Sequence, residues 1–256
     1  MKQKYKVAVV TGASSGFGEA IAERFAREGL SLVLMARREE KLVRLAKKLS
    51  SRIPCHVAAC DVRDACAVDK VLSALPRKFS AVDILVNNAG LALGLDPAHR
   101  ASWENWQQMI DTNCRALAFM THRLLPGMVE RNRGHIVNIG SIAGSFPYFA
   151  GNVYGASKAF VEHFSCNLKA DLLGTAVRVT NIEPGLAAGS EFSLVRFQGD
   201  REQADAVYRS AEPLMPPDIA ECVAWAVSQP ANVNICRIEV MPVCQAPAGF
   251  SIHRRC

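Results

Sequence analysis

The chain reads as an α/β protein: one doubly wound domain over residues 1–256, with a parallel sheet of about seven strands and helices on both faces. Three observations carry this reading. Short β-branched runs alternate with longer amphipathic segments along the whole length, a glycine-rich turn follows the first run directly, and no linker or internal repeat breaks the alternation. Strands joined through helices pair in parallel, and right-handed crossovers then put helices on both faces of the sheet.

Residues 7–10 form a buried strand that ends at Thr11-Gly12. Residues 19–28 form a helix with Ile21, Ala22, Phe25 and Ala26 on one side, closed by Gly29. Strands follow at 31–36, 56–59 and 84–86, separated by helices at 39–49 and 64–74. Ser102 caps a long helix that runs past Met120, with Pro126 bending or ending it. Then come a strand at 136–139, a helix at 154–173 stopped at Gly174, and a strand at 177–182. Pro217 opens a last helix through 219–227, and 238–241 is the seventh strand. The stretch 185–212 reads as irregular, either a substrate loop or a plain surface insertion.

With 50% hydrophobic and 21% charged residues, the chain has enough apolar surface to offset chain entropy, which excludes a disordered protein. Its apolar runs are too short to span a bilayer. The net charge of +6 is scattered and aromatics are only 7%, so no nucleic-acid surface is expected; an anionic small molecule suits the excess better. No two of the nine cysteines form a CxxC pair, so no metal site is expected, and the N-terminus does not read as a secretory signal. The cysteines are expected to be small buried thiols in a reducing cytosol, with Cys256 exposed.

Chemistry begins in Thr11-Gly12-Ala13-Ser14-Ser15-Gly16-Phe17-Gly18. Gly12 permits a tight turn, Gly16 lets backbone approach a pyrophosphate, and Gly18 lets the helix pack on the sheet. Free N–H groups at the helix start, with Ser14, Ser15 and Phe17 beside them, then favour the diphosphate of a dinucleotide. An NAD site places a carboxylate at the end of the second strand, but here Arg37 and Arg38 stand there. Guanidinium forks bind phosphate, so the cofactor is expected to be NADP, with Arg37 or Arg38 on its 2′-phosphate. The alternative is that both pair with Glu39 and Glu40. Asp61 and Val62 are candidates for the adenine, and Asn88, Ala89 and Gly90 for the ribose; each also works as turn chemistry.

Tyr154 and Lys158 lie four apart and share a helix face. Ser141 ends the fifth strand, at the carboxyl edge where open α/β sheets bind ligands. A phenol titrates near pH 10, and a Lys158 charge about 5 Å away would lower it by about two units. Tyr154 is therefore the candidate general acid and base, and Ser141 the donor to the developing alkoxide. Asn113, mid-helix, is a further candidate or simply a surface residue.

The set TGASSGFG, NNAG, Asn113, Ser141, YGASK and Pro184-Gly185 resembles the short-chain dehydrogenase/reductase family over nearly the whole chain. Within it, GLALGLDPAH, LPGMVERNRGHIVNIGS, IEPGLAAGSEF and VRFQGD resemble the NADP-dependent 3-hydroxy acid dehydrogenases. That resemblance implies cytosolic homotetramers that oxidise serine, allo-threonine and similar short acids and reduce malonic semialdehyde. It also implies that Asn113 positions a water in a proton relay through Lys158, that Lys158 holds the cofactor ribose, and that the tail 249–256 contributes to subunit contacts. Two departures stand out. Asn113 is followed by Cys114-Arg115-Ala116 without the family's usual glycine, and Gly189 with Ser190 replaces the threonine that touches the nicotinamide amide. Arg196 is the candidate for a substrate carboxylate, or a rim residue paired with Asp200 or Glu202. Alternatives to this substrate class are a broader ketone or 3-oxoacyl reductase and a non-catalytic NADP-binding sensor.

Overall fold

The computed structural model describes residues 5–247. Seven parallel strands form one sheet in the order β3-β2-β1-β4-β5-β6-β7. They are β1 (Val7–Thr11), β2 (Ser31–Ala36), β3 (Cys55–Ala59), β4 (Ile84–Asn87), β5 (Gly134–Ile139), β6 (Val177–Pro184) and β7 (Arg237–Val240). The order reverses beside β1, between β2 and β4, which opens a crevice at the carboxyl ends of the strands.

The helices are α1 (Gly16–Arg27), α2 (Glu39–Leu49), α3 (Ala65–Ser73), α4 (Arg77–Ser80), α5 (Trp103–Ile110), α6 (Leu117–Glu130), α7 (Asn152–Asp171), α8 (Phe192–Arg196), α9 (Arg201–Ala206) and α10 (Pro216–Ser228). Alternate strand residues feed two cores. Ala8, Val10, Leu32 and Leu34 pack under α1, α2 and α10 through Ile21, Phe25, Leu42, Ile219 and Val223. Val7, Val9, Val33 and Met35 pack on the other face against Val68, Phe79, Met120, Met128 and Leu168. A sheet buried on both faces explains why its strands read as continuous apolar runs.

Four sequence expectations are corrected. Helix α1 starts three residues before the predicted 19, inside the glycine loop, so its free N–H groups belong to the loop itself. The long helix after Ser102 is not uniform: a π-helical turn (Asp111–Ala116) separates α5 from α6, and α6 continues through Pro126 to Glu130. Ser102 does cap it, accepting from the Asn105 N–H. The stretch 185–212 is not irregular throughout, because α8 and α9 lie within it. The described cysteines are not buried: Cys66, Cys166, Cys236 and Cys244 are exposed and the other four half-buried. A strand-end or helix-rim position leaves a thiol partly wet whatever its hydrophobicity. Cys256 and the tail 249–256 lie outside the described residues.

The carboxyl end of β6 is anchored by charge. Arg237 of β7 bridges Glu162 of α7 at 2.7 Å, Glu183 of β6 at 2.7 Å and Glu239 at 2.9 Å, while Glu183 also accepts from the Asn181 amide at 2.6 Å. Burial of the Glu183 carboxyl pushes it up to about 7, against the pull of Arg237. The folded protein therefore holds a proton between about pH 4.5 and 7 that the unfolded chain releases, so this group makes stability fall as pH rises through that window. Glu183→Gln does not titrate. Its stability relative to wild type is expected to improve by about 1–3 kcal/mol from pH 4.5 to 7, read from urea midpoints. Parallel curves would show that Arg237 keeps Glu183 ionised throughout.

Candidate active site

The crevice at the switch point is a cleft of about 720 Å³, running from the β1–α1 turn and the end of β2 to the start of α7 and the stretch 186–208. The β1–α1 turn is built by its glycines. Gly12 and Gly16 have φ of +66° and +57°, and a Cβ on Gly18 would lie 2.3 Å from the Gly12 carbonyl oxygen. Gly12, Ser14, Ser15, Gly16 and Phe17 line the cleft, whereas Gly18 sits beneath it as a packing contact. Thr11, the first residue of the glycine motif, ties the turn to β4: its hydroxyl donates to Val86 O at 3.1 Å and accepts from the N–H groups of Asn88 and Ala89, each at 3.0 Å. The Asn88 amide donates to Thr11 O at 2.8 Å.

Arg37, Arg38, Asp61, Val62, Ala89 and Gly90 also line the cleft. The alternative pairing of the two arginines with Glu39 and Glu40 does not form. Arg38 donates to Ser14 Oγ at 3.1 Å and Ser15 Oγ at 2.9 Å and pairs with Glu191 at 2.5 Å. Among the described residues Arg37 has no ion pair within 4 Å. Asp61 is clasped by Arg63, whose hydrogen bonds hold its carboxyl below the usual range. Across the cleft, Pro184, Gly185 and Ser190 contribute to the wall. Ser190 faces Gly16, where an added Cβ would come within 2.6 Å of the Ser190 Cβ.

The chemical groups converge where β5 meets α7. Ser141 starts a 3₁₀ turn (Ile142–Gly144) by accepting from the Ala143 N–H at 3.1 Å. At Gly144 that turn touches α7 so closely that a Cβ would lie 2.8 Å from the Lys158 carbonyl carbon. This contact brings Ser141 to the helix face bearing Tyr154 and Lys158, and all three line the cleft. Lys158 Nζ donates to Ile139 O at 2.9 Å and lies 5.9 Å from the Tyr154 ring centre. Asn113 does not line the cleft and is not a surface residue either. It is buried in the π-helical turn, where its amide accepts from Leu91 N and donates to Leu91 O and Ser157 Oγ at 2.9–3.0 Å.

The expected lowering of the phenol is overturned. Burial pushes Tyr154 up to about 12, because a phenolate there is stripped of water; the Ser141 hydroxyl and the Arg196 charge pull the other way. Lys158 is buried too, and burial brings its ammonium down to about 8. Desolvation is the largest cause for both groups, and neither shift draws on the other's charge.

Arg196 of α8 reaches into the same end of the cleft. Its guanidinium lies 5.6 Å from the Tyr148 ring centre and 5.7 Å from that of Tyr154, and it donates to Tyr148 OH at 2.8 Å. It forms no ion pair with Asp200 or Glu202; the α8 backbone is instead held by Gly94 N–H donating to Arg196 O at 2.9 Å. Tyr148 and Gln245, which accepts from Leu186 N–H at 2.6 Å, are cleft residues that sequence reasoning missed.

A doubly wound sheet with a glycine-built anion cradle at its switch point, beside a serine, a tyrosine and a lysine at one cleft wall, defines a nucleotide-dependent oxidoreductase. Residues 6–196 match the family model described as short chain dehydrogenase. The chain is 53% identical, over 97% of its length and 100% of the relative's, to the NADP-dependent 3-hydroxy acid dehydrogenase YdfG of Escherichia coli strain K12. It is 50% identical, over 97% and 98% of the two chains, to sulfoacetaldehyde reductase 2 of Chromohalobacter salexigens. Among solved structures, the closed form of serine dehydrogenase complexed with NADP+ superposes with a TM-score of 0.95 at 53% identity, covering 97% and 100% of the chains. The chain belongs to the short-chain dehydrogenase family.

Proposed function

We propose that the protein is an NADP-dependent dehydrogenase that interconverts a short 3-hydroxy acid, of the serine, allo-threonine or 3-hydroxypropionate type, with its 3-oxo acid. The observation that carries this reading is the Arg196 guanidinium between the Tyr148 and Tyr154 rings, a cation beside the phenol in a wall that is otherwise largely aromatic and apolar. The similarity to a 3-hydroxy acid dehydrogenase and to a structure of serine dehydrogenase with NADP+ supports the substrate class and the cofactor. The cleft suits that cofactor: a glycine cradle admits a diphosphate, and Arg38, with Ser14 and Ser15 on its guanidinium, offers donors for a 2′-phosphate.

When bound, the cofactor supplies or accepts the hydride. Tyr154, protonated across the neutral range, gives its proton to the carbonyl oxygen as negative charge grows there. Ser141 donates a hydrogen bond to the same oxygen. Lys158 holds the cofactor ribose and fixes the cation near the phenol. Asn113, with its amide committed to Leu91 and Ser157, keeps the turn after β4 against α7 and acts as a positioning residue.

Arg196→Ala is expected to raise KM for short hydroxy acids about 10- to 100-fold, with KM for an uncharged alcohol of similar size changed less than about threefold. The measurement is NADPH turnover at 340 nm over a substrate panel. Equal losses for both classes would reject Arg196 as the anion site. The same cation suits a sulfonate, and similarity to a sulfoacetaldehyde reductase puts sulfoacetaldehyde in the panel as the second reading.

The assembly we infer is a cytosolic homotetramer. Trp103, Ile110 and Phe160 leave apolar surface exposed on the helices around Asn113 and Tyr154, which supports subunit contacts there. Eight free cysteines among the described residues accord with a reducing compartment.

A further inference from the structure

At the adenosine end of the cleft, one carboxylate from the stretch that also lines the substrate end engages two cations. Glu191 lies 2.5 Å from Arg38 Nη1 through one oxygen and 2.8 Å from Lys41 Nζ through the other. Arg38 and Lys41 are three residues apart at the start of α2, so both side chains rise from the same side. Arg38 Nε and Nη2 donate to the hydroxyls of Ser14 and Ser15. Two cations at the start of α2 thus converge on one anionic group, with two hydroxyls of the β1–α1 turn holding one of those cations, and the anionic group comes from a segment 150 residues further along the chain.

This seat is half in water: the side chains of Arg38 and Glu191 are 43% and 41% exposed. An ion pair so exposed is weak and exchanges readily. A phosphate monoester carries close to two negative charges at neutral pH and three acceptor oxygens, against one charge and two oxygens for a carboxylate. A phosphate entering here would compete with Glu191 for the same donors and would prevail.

We propose that Glu191 is a specificity-determining residue that shares Arg38 and Lys41 with the 2′-phosphate of NADP(H), and that Lys41 is the second phosphate-binding cation. The carboxylate lowers the net charge of the seat from +2 to +1. It thereby weakens phosphate binding while leaving a cofactor without that phosphate unaffected. It also ties the segment carrying α8 to the seat, so that phosphate binding and the hold on this segment are linked through the same two cations.

The inference rests on reading Arg38 as the 2′-phosphate site, and the test separates the two. Calorimetric titration of the full chain with 2′,5′-ADP and with 5′-AMP needs no turnover. Glu191→Gln is expected to tighten 2′,5′-ADP roughly three- to tenfold and to leave 5′-AMP within about twofold, because one repulsive charge a few ångströms from the phosphate is removed. Lys41→Met is expected to weaken 2′,5′-ADP by a similar factor. Unchanged or weaker 2′,5′-ADP binding in Glu191→Gln overturns the role of Glu191, and unchanged binding in Lys41→Met overturns that of Lys41. Arg38→Ala is the reference: loss of 2′,5′-ADP there with no response in the other two variants rejects this inference alone. If Arg38→Ala leaves 2′,5′-ADP binding intact, the reading of the phosphate site itself is wrong.

Discussion

Tyr154→Phe is expected to lower turnover by about a thousandfold or more in both directions while NADPH still binds. The ring stays in its place against Phe192, at 5.8 Å between centres, so packing and cleft shape are kept and only the hydroxyl is lost. Its proton is the one nearest the reacting oxygen in the proposed arrangement, and Ser141 has its own partners at Ala143 N and Pro184 O. The direction of the wild-type pH profile follows from burial. With the phenol up at about 12, reduction by the protonated form should be insensitive to this group through neutrality, whereas oxidation, which needs the phenolate, should climb with pH. Steady-state rates in both directions and cofactor titration by fluorescence check the prediction. A variant that retains more than about a tenth of wild-type turnover would remove Tyr154 from the chemistry.

The second large effect is expected from a single methyl group. Gly18→Ala places a Cβ 2.3 Å from the Gly12 carbonyl oxygen and 2.6 Å from the Asn88 amide nitrogen. Neither can retreat cheaply. Gly12 is backbone at positive φ, and Asn88 is held by Thr11 on both its amide and its main chain. The cost is about 2–3 kcal/mol of stability, as for overpacked cores, and NADPH should bind at least tenfold more weakly because the cradle must shift. Gly29→Ala is the control: nothing lies within 4 Å of its Cβ, and only the strain of φ +80° remains, about 1 kcal/mol with no effect on the cofactor. Urea unfolding and NADPH titration of the two variants decide. Similar cofactor affinities in both would show that Gly18 does not shape the site.

Much of this architecture is local and therefore legible in one dimension. The apolar run at 31–36 and the amphipathic stretch at 39–49 carry their periods openly, and β2 and α2 occupy those residues. The loop Gly12 to Gly18 announces itself because only glycine tolerates its positive φ and close contacts. The π-helical turn around Asn113 carries no such sign. It depends on an amide that satisfies the Leu91 backbone from another segment, and one extra residue in a turn hardly disturbs a 3.6-residue period. The start of α1 is masked for a similar reason: glycines weaken a helical pattern even where they begin it.

The sequence by itself determined the order of strands and helices, the glycine cradle, and a serine, a tyrosine and a lysine brought to one strand edge and one helix face. These follow from backbone periodicity and steric permission, which act over a few residues. Only the tertiary structure decided that Arg38 and Lys41 meet Glu191, that Arg196 stacks beside the phenol, and that Tyr154 titrates above rather than below an ordinary tyrosine. Charge interaction and loss of water depend on distance and burial in space, and neither is encoded in the separation of residues along the chain.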